Sequence, residues 1–165
     1  ASGASRSLTR FVLSAMNYLG VPYRRGGSVA EEGFDCSGFT RHVFETSLGI
    51  VLPRRAAEQA RKPGLQSVPK DQLAPGDLVF FNTMRRAFSH VGIYIGEGRF
   101  IHAPRAGGEV RIERIDARYW TTRFNGARRA ALPDSTPLPG AEAPGVVVPA
   151  VPATGDAPVA PSGQP

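Results

Sequence analysis

The sequence predicts an α+β fold in one domain, with helices first and an antiparallel sheet after them. Three observations carry this. Apolar residues recur at helical spacing in the first part of the chain. From Leu73 the period shortens to that of strands. The only cysteine sits where a turn hands over to an apolar helix. Runs of strands following runs of helices make a sheet packed on helices. The expected bounds are a flexible N-terminus over residues 1–6, a folded domain over 7–131, and a Pro/Ala-rich disordered tail over 132–165.

Taken in order, Ser7 is placed to cap a first helix, in which Leu8, Phe11, Val12, Ala15 and Leu19 form one apolar stripe, ended by Gly20. Val21 to Tyr23 reads as extended and Arg24 to Gly33 as a Gly-containing loop. The second helix opens at Cys36, with Asp35 as N-cap and Phe39, Val43 and Phe44 on its apolar face, and closes at Gly49. His42 lies off that face and reads as a packing or surface histidine. Pro53 starts a short helix over 54–61. Strands are expected at Leu78 to Phe81, His90 to Ile95, Arg99 to Ala103, Glu109 to Glu113, and near Ala127 to Ala131. Past Leu132 nine of the fifteen prolines and no Lys or Arg remain, which rules out a helix or central strand.

The chemistry gathers at Cys36. A thiol at the first turn of a helix meets unpaired N–H groups and the positive end of the dipole, which favours thiolate. A nucleophile needs a base, and the base an orienting partner. If Gly96-Glu97-Gly98 is a three-residue hairpin loop, Ile95 faces Arg99 and Gly92 faces His102. His90 and His102 then share a face, Val91, Ile93 and Ile95 take the other, and Gly92 leaves room for the imidazoles. A two- or four-residue loop would separate the histidines. On this reading His90 takes the Cys36 proton or holds it in an ion pair, and His102 fixes the His90 tautomer. The Cys36 backbone N–H and the Tyr23 hydroxyl are candidate oxyanion contacts. The residues alone leave two rivals open. One is a zinc held by Cys36, His90 and His102, although their spacing fits no compact ligand motif. The other is a non-catalytic binding domain with a buried thiol and satisfied histidines.

Charge points to the partner. The chain is +6 overall, but its 20 basic residues all precede Leu132, against 11 of its 14 acidic ones, so the body carries about +9. No aromatic-interleaved basic stripe and no zinc-finger or RNA-binding motif accompanies this charge, which argues against nucleic acid and leaves an anionic wall polymer or membrane surface. One cysteine excludes an internal disulfide, and no apolar run approaches a membrane span.

Six blocks together resemble the NlpC/P60 cysteine peptidases: Pro22-Tyr23-Arg24-Arg25-Gly26-Gly27, Asp35-Cys36-Ser37-Gly38-Phe39, Leu52-Pro53-Arg54 with Gln59, Gly76-Asp77-Leu78-Val79-Phe80-Phe81, Ser89 to Gly96, and Phe100-Ile101-His102-Ala103. Within that family, Val21 to Gly27 and the stretch from Tyr119 to Arg129 are most similar to the Spr-type murein endopeptidases of Gram-negative bacteria. The resemblance implies a papain-like α+β fold, with the nucleophile helix packed on an antiparallel sheet. It implies Cys36 as nucleophile, His90 as base and His102 as orienting residue, with Tyr23, Asp35, Ser37, Arg54 and Ser89 near the substrate and no cofactor or metal. The implied reaction is hydrolysis of an amide to diaminopimelate in peptidoglycan stem peptides, at either the D-Ala crosslink or the γ-D-Glu bond. An inactive wall-binding module of the same fold is the alternative. The protein is then expected to be exported, periplasmic or tied to the outer membrane by a lipid anchor upstream of this chain, and monomeric. The basic loop Met84-Arg85-Arg86, Arg55 beside Arg54, and the long tail depart from the Spr-type pattern.

Overall fold

The computed structural model describes residues 3–131. Helix α1 (Gly3–Met16) is followed by a small hairpin, β1 (Ser28–Val29) with β2 (Gly33–Phe34), and then by helices α2 (Cys36–Leu48) and α3 (Ala56–Ala60). Strands β3 (Gln66–Val68), β4 (Leu78–Phe81), β5 (His90–Gly96), β6 (Arg99–His102) and β7 (Arg111–Arg114) come next, then α4 (Arg118–Thr121) and β8 (Phe124–Arg129). Strands β3 to β8 form an antiparallel sheet in the order β3-β8-β4-β5-β6-β7. The expected α+β architecture is therefore present, with β4 to β7 as a meander and β8 returning to pair with β4 on its other side.

Several boundaries differ from the sequence reading. α1 begins at Gly3, so residues 3–6 are helical and Ser7 lies inside the helix instead of capping it. The third helix is limited to Ala56–Ala60, and β7 starts at Arg111, two residues late. The β1–β2 hairpin and β3 were not anticipated, because two- and three-residue strands show no period. The tail read as disordered lies outside the described residues.

The two faces of the sheet do different work. Leu78 and Phe80 of β4, Val91 and Ile93 of β5, and Ile101 of β6 are buried with Phe39, Val43 and Phe44 of α2 and with Phe11 and Ala15 of α1. The alternate residues Val79, Phe81 and Phe100 form a second cluster on the opposite face with Trp120, Ile115 and Ala127. This is the period-2 division that a sheet covered on both sides requires. A bidentate ion pair fastens β8 to the turn before β4: Arg129 donates to buried Asp77 at 2.8 and 2.9 Å.

The start of α2 is positioned from three directions. Asp35 has extended backbone and accepts the Gly38 N–H at 2.7 Å, the N-cap bond anticipated from the sequence. Gly38 admits the Gly27 carbonyl, which a Cβ would strike. From the third side, fully buried Gln59 of α3 donates to the carbonyls of Ser37 (3.1 Å) and Pro53 (2.9 Å) and accepts from the Thr40 hydroxyl (2.8 Å).

Replacing Gln59 by Leu removes three bonds at once and leaves buried polar atoms unpaired. Urea unfolding of Gln59→Leu should show a loss of roughly 2–3 kcal/mol. A midpoint equal to that of the parent would contradict the bracing role.

Candidate active site

The register of β5 on β6 decides whether the two histidines meet. The observed turn is a two-residue one, Glu97-Gly98, closed by the pair Gly96↔Arg99; both turn residues have positive φ (55° and 77°). That combination is a primed hairpin turn, which suits the twist of the flanking strands. By itself a two-residue turn would have put the histidines on opposite faces. A bulge between Tyr94 and Gly96 adds one residue on β5 and restores Tyr94↔Phe100 and Ile93↔Ile101. The loop length anticipated from the sequence is thus corrected, while the face-sharing is retained. A Cβ on Gly92 would come within 2.8 Å of Phe100 and 3.1 Å of the His102 Cβ, so the glycine is required by the rings beside it.

The two imidazoles are buried and joined: His90 Nε2 lies 2.8 Å from His102 Nδ1. The chain continues beyond them. His102 Nε2 is 2.9 Å from Glu113 Oε2, which also accepts from Arg111 Nε at 2.8 Å, while Trp120 Nε1 donates to Glu113 Oε1 at 2.9 Å. Trp120 also stacks near-parallel on His90 at 5.5 Å. Sequence reasoning missed Glu113 and Trp120. The signal available was Glu113 at the end of an alternating strand following the one that carries His102.

One ionised group sets the proton positions along this chain. The His102 hydrogen bond, with those of Trp120 and Arg111, holds the Glu113 carboxyl far below the usual carboxylate range despite partial burial. An ionised carboxylate can only accept. His102 Nε2 therefore carries a proton. Burial lowers the pKa of His102 and keeps the ring neutral, so its Nδ1 is an acceptor. His90 Nε2 must then be the donor to it. Burial, and secondarily the neighbouring His102, push His90 well below its ordinary pKa, which leaves Nδ1 as a lone pair.

The Cys36 thiol sits against the backbone from which that ring projects. Its Sγ lies 4.0 Å from the Ser89 carbonyl oxygen and is also influenced by the Val91 N–H. The helix start is not the strongest influence on this thiol. Burial pushes the thiol up to about 11, outweighing the lowering by the Val91 and Ser37 backbone N–H groups. Desolvation of a charge exceeds what the helix start returns. Cys36 as a residue is nevertheless only half-buried, so a ligand can reach it. The thiol thus lies against the backbone at residue 89, and the residue that follows carries a neutral imidazole of fixed tautomer. Both His102 nitrogens are engaged within the protein, which argues against the zinc reading of these three residues.

The other residues singled out from the sequence fall into two groups. Asp35, Ser37 and Arg54 are brought together. Arg54 donates to both Asp35 oxygens at 3.0 Å and to the Ser37 hydroxyl at 3.0 Å, and Gly26 N–H adds a bond to Asp35 at 3.1 Å. The carboxylate that Arg54 meets is therefore one of the protein's own. Tyr23 is half-buried near the thiol; burial, then the charges of Cys36 and Asp35, raise its pKa. The Ser89 hydroxyl accepts the N–H groups of Thr83 (3.0 Å) and Met84 (3.3 Å), which makes it a loop anchor. His42 packs as expected, its Nε2 3.0 Å from the Tyr18 hydroxyl.

A model of the NlpC/P60 family matches residues 20–129. Among curated relatives, the chain is 44% identical over 131 residues to the gamma-DL-glutamyl hydrolase of Bacillus subtilis (strain 168), covering 77% of this chain and 31% of that protein. It is 40% identical over 119 residues to the murein DD-endopeptidase MepH of Escherichia coli (strain K12), covering 72% and 44%. The chain spans about a third to a little over half of the length of such relatives. A crystal structure of an NlpC/P60 family protein from Bacillus cereus ATCC 10987 superposes with a TM-score of 0.68 at 36% identity, over 81% of this chain and 42% of that one.

The buried site has a definite pH signature. Both histidines have folded pKa values below their ordinary 6.5, so below that pH the unfolded chain binds more protons and stability falls. Glu113 is likewise lowered from its ordinary 4.5, which extends the loss further into acid. Thermal unfolding should therefore show Tm falling from pH 7.5 to pH 5, with a shallower fall in His90→Phe. A Tm unchanged over this range would contradict the neutral buried pair.

Proposed function

The chain belongs to the NlpC/P60 family, and from that membership we propose that it is a cysteine-type peptidoglycan endopeptidase cutting an amide to diaminopimelate in stem peptides or their crosslinks. The observation that carries this reading is the continuous hydrogen-bonded line His90–His102–Glu113, with Cys36 Sγ 4.0 Å from the carbonyl oxygen of Ser89, the residue before His90. A relative named murein DD-endopeptidase supports the wall substrate and the crosslink bond, and one named gamma-DL-glutamyl hydrolase supports a γ-glutamyl bond as the competing one.

The reaction follows from the proton positions. Cys36 Sγ attacks the scissile carbonyl carbon while its proton passes to His90 Nδ1, and the resulting positive charge is shared with His102 and balanced by Glu113. The developing oxyanion takes the Cys36 backbone N–H at the start of α2, with the Tyr23 hydroxyl as a second contact. His90 returns the proton to the departing amine, leaving a thioester. Water then adds to the thioester with His90 as base, releasing the acid and restoring the thiol. Asp35 and Arg54, paired to each other, shape the entry to the thiol.

A binding module without catalysis is the weaker reading. Two buried imidazoles tied to a carboxylate cost desolvation that a purely structural core avoids with apolar residues. Action on the wall implies an exported protein, and the same proposal puts it in the periplasm or at the outer membrane and takes it to be a monomer. Among the described residues no helix is long and apolar enough to cross a membrane.

The test is a digest of purified crosslinked peptidoglycan with fragments resolved by mass. Conversion of crosslinked dimers to intact monomers is expected if the D-Ala bond is cut, and stems shortened to D-Glu if the γ-D-Glu bond is cut. Cys36→Ala should abolish either, and Glu113→Gln should lower kcat roughly 100-fold with KM little changed. A wall that is bound but left uncut by the parent protein would contradict the peptidase reading and favour the binding module.

A further inference from the structure

The basic loop between β4 and β5 is the part of the sequence that the reaction above does not use. It forms one wall of a cleft of about 500 Å3 lined by Asn82, Thr83, Arg85, Thr122 and Arg123. The loop is built, and tied to the site at both ends. The Ser89 hydroxyl accepts the Thr83 and Met84 N–H groups, and the carbonyl of the same Ser89 faces the Cys36 thiol. Asn82 N–H donates to the Arg123 carbonyl at 2.8 Å, and Phe88 N–H to Asn125 Oδ1 at 2.6 Å. Arg85 and Phe88 both occupy left-handed backbone (φ 58°), unusual for such side chains and a sign of a loop held in one shape.

The far wall adjoins the histidine chain. Trp120, which stacks on His90, lies in α4, and the residues following α4 supply Thr122 and Arg123. Arg123 is fixed over the Tyr119 ring at 3.7 Å and donates to the Tyr119 carbonyl at 2.9 Å. Among the described residues no acidic side chain pairs with Arg85, and none lines the cleft. Two guanidinium groups, the Thr83 hydroxyl and the Asn82 amide line one space, while the Thr122 hydroxyl donates to the Arg118 and Tyr119 carbonyls and accepts from Arg123; such a lining makes a site for an anion. The planar fork of arginine matches a carboxylate.

We propose that this cleft is a carboxylate subsite: Arg85 and Arg123, with the Thr83 hydroxyl, hold a free carboxylate of the stem peptide next to the scissile amide. The inference rests on the peptidoglycan reading and adds what that reading leaves open, the charged feature of the substrate that the enzyme selects. It is distinct from the Asp35–Ser37–Arg54 group, whose cation is already neutralised by its own carboxylate.

The test measures binding to the Cys36→Ala protein, so that it is independent of turnover. The probes are the soluble tetrapeptide L-Ala-γ-D-Glu-diaminopimelate-D-Ala and its analogue with the diaminopimelate and D-Ala carboxylates amidated. The free acid should bind about tenfold more tightly than the amide at low salt. Arg85→Ala and Arg123→Ala should each shrink that ratio, and the double variant should bring it to about one. Backbone amide NMR signals of Thr83 and Arg85 should shift with the acid and not with the amide. An acid-to-amide ratio unchanged by both substitutions would overturn the proposal, as would an equal loss of affinity for both probes. Poly(glycerol phosphate) shifting the same signals at lower concentration than the tetrapeptide would overturn it in favour of a phosphate polymer. A protein that shows the expected binding but never cuts the wall would sink the peptidase reading and leave the subsite standing.

Discussion

One ionised carboxylate, Glu113, orders the site. It can only accept hydrogen bonds, and through His102 that requirement is passed inward until His90 has a single tautomer with Nδ1 free of a proton. Arg111 and Trp120 hold the carboxylate from two other sides, so its charge and its orientation are both fixed before any substrate arrives. The cost of burying two imidazoles is offset by pairing His90 Nε2 and both His102 nitrogens, with His90 Nδ1 left as a lone pair.

The sheet exists in the form needed to bring these groups into line. β5 and β6 carry the two histidines, β7 carries Glu113, and α4 folds Trp120 back over His90. A two-residue turn and a compensating bulge set the register, and Gly92 leaves the space that the rings fill. On the opposite face α2 packs its aromatic residues against β5. The helix therefore begins with Cys36 against the backbone at Ser89, next to which His90 projects. Cys36 and His90, the nucleophile and base of the proposed reaction, thus come from different layers, α2 and β5.

Much of this was legible in the sequence because it follows short-range rules. Asp35 three residues before the Gly38 N–H reads as a cap, and β5 alternates Val91, Gly92, Ile93 and Tyr94 between two faces. The compensating bulge was not legible, because a bulge leaves no mark on the hydrophobic pattern; a turn and a bulge of opposite effect gave the anticipated face-sharing by a different route. Glu113 was out of reach for another reason: its partner His102 is eleven residues away and meets it only across paired strands. The thiol shows a competition that sequence cannot weigh. The helix start favours thiolate, but the depth of burial, a tertiary property, pushes the thiol up to about 11. Arg54 likewise is implied near the substrate by the resemblance, and only the fold delivers it to Asp35.

The central claim is that both imidazoles rest neutral, with the His90 tautomer dictated from Glu113 through His102. Imidazole nitrogen NMR on the 15N-histidine-labelled protein at pH 7 tests it most directly. The expected spectrum has His90 and His102 both neutral, each with the proton on Nε2 and Nδ1 unprotonated. An imidazolium spectrum for His90, or a proton on its Nδ1, would contradict the account: the first would mean a thiolate–imidazolium pair at rest, the second a base turned away from its nucleophile.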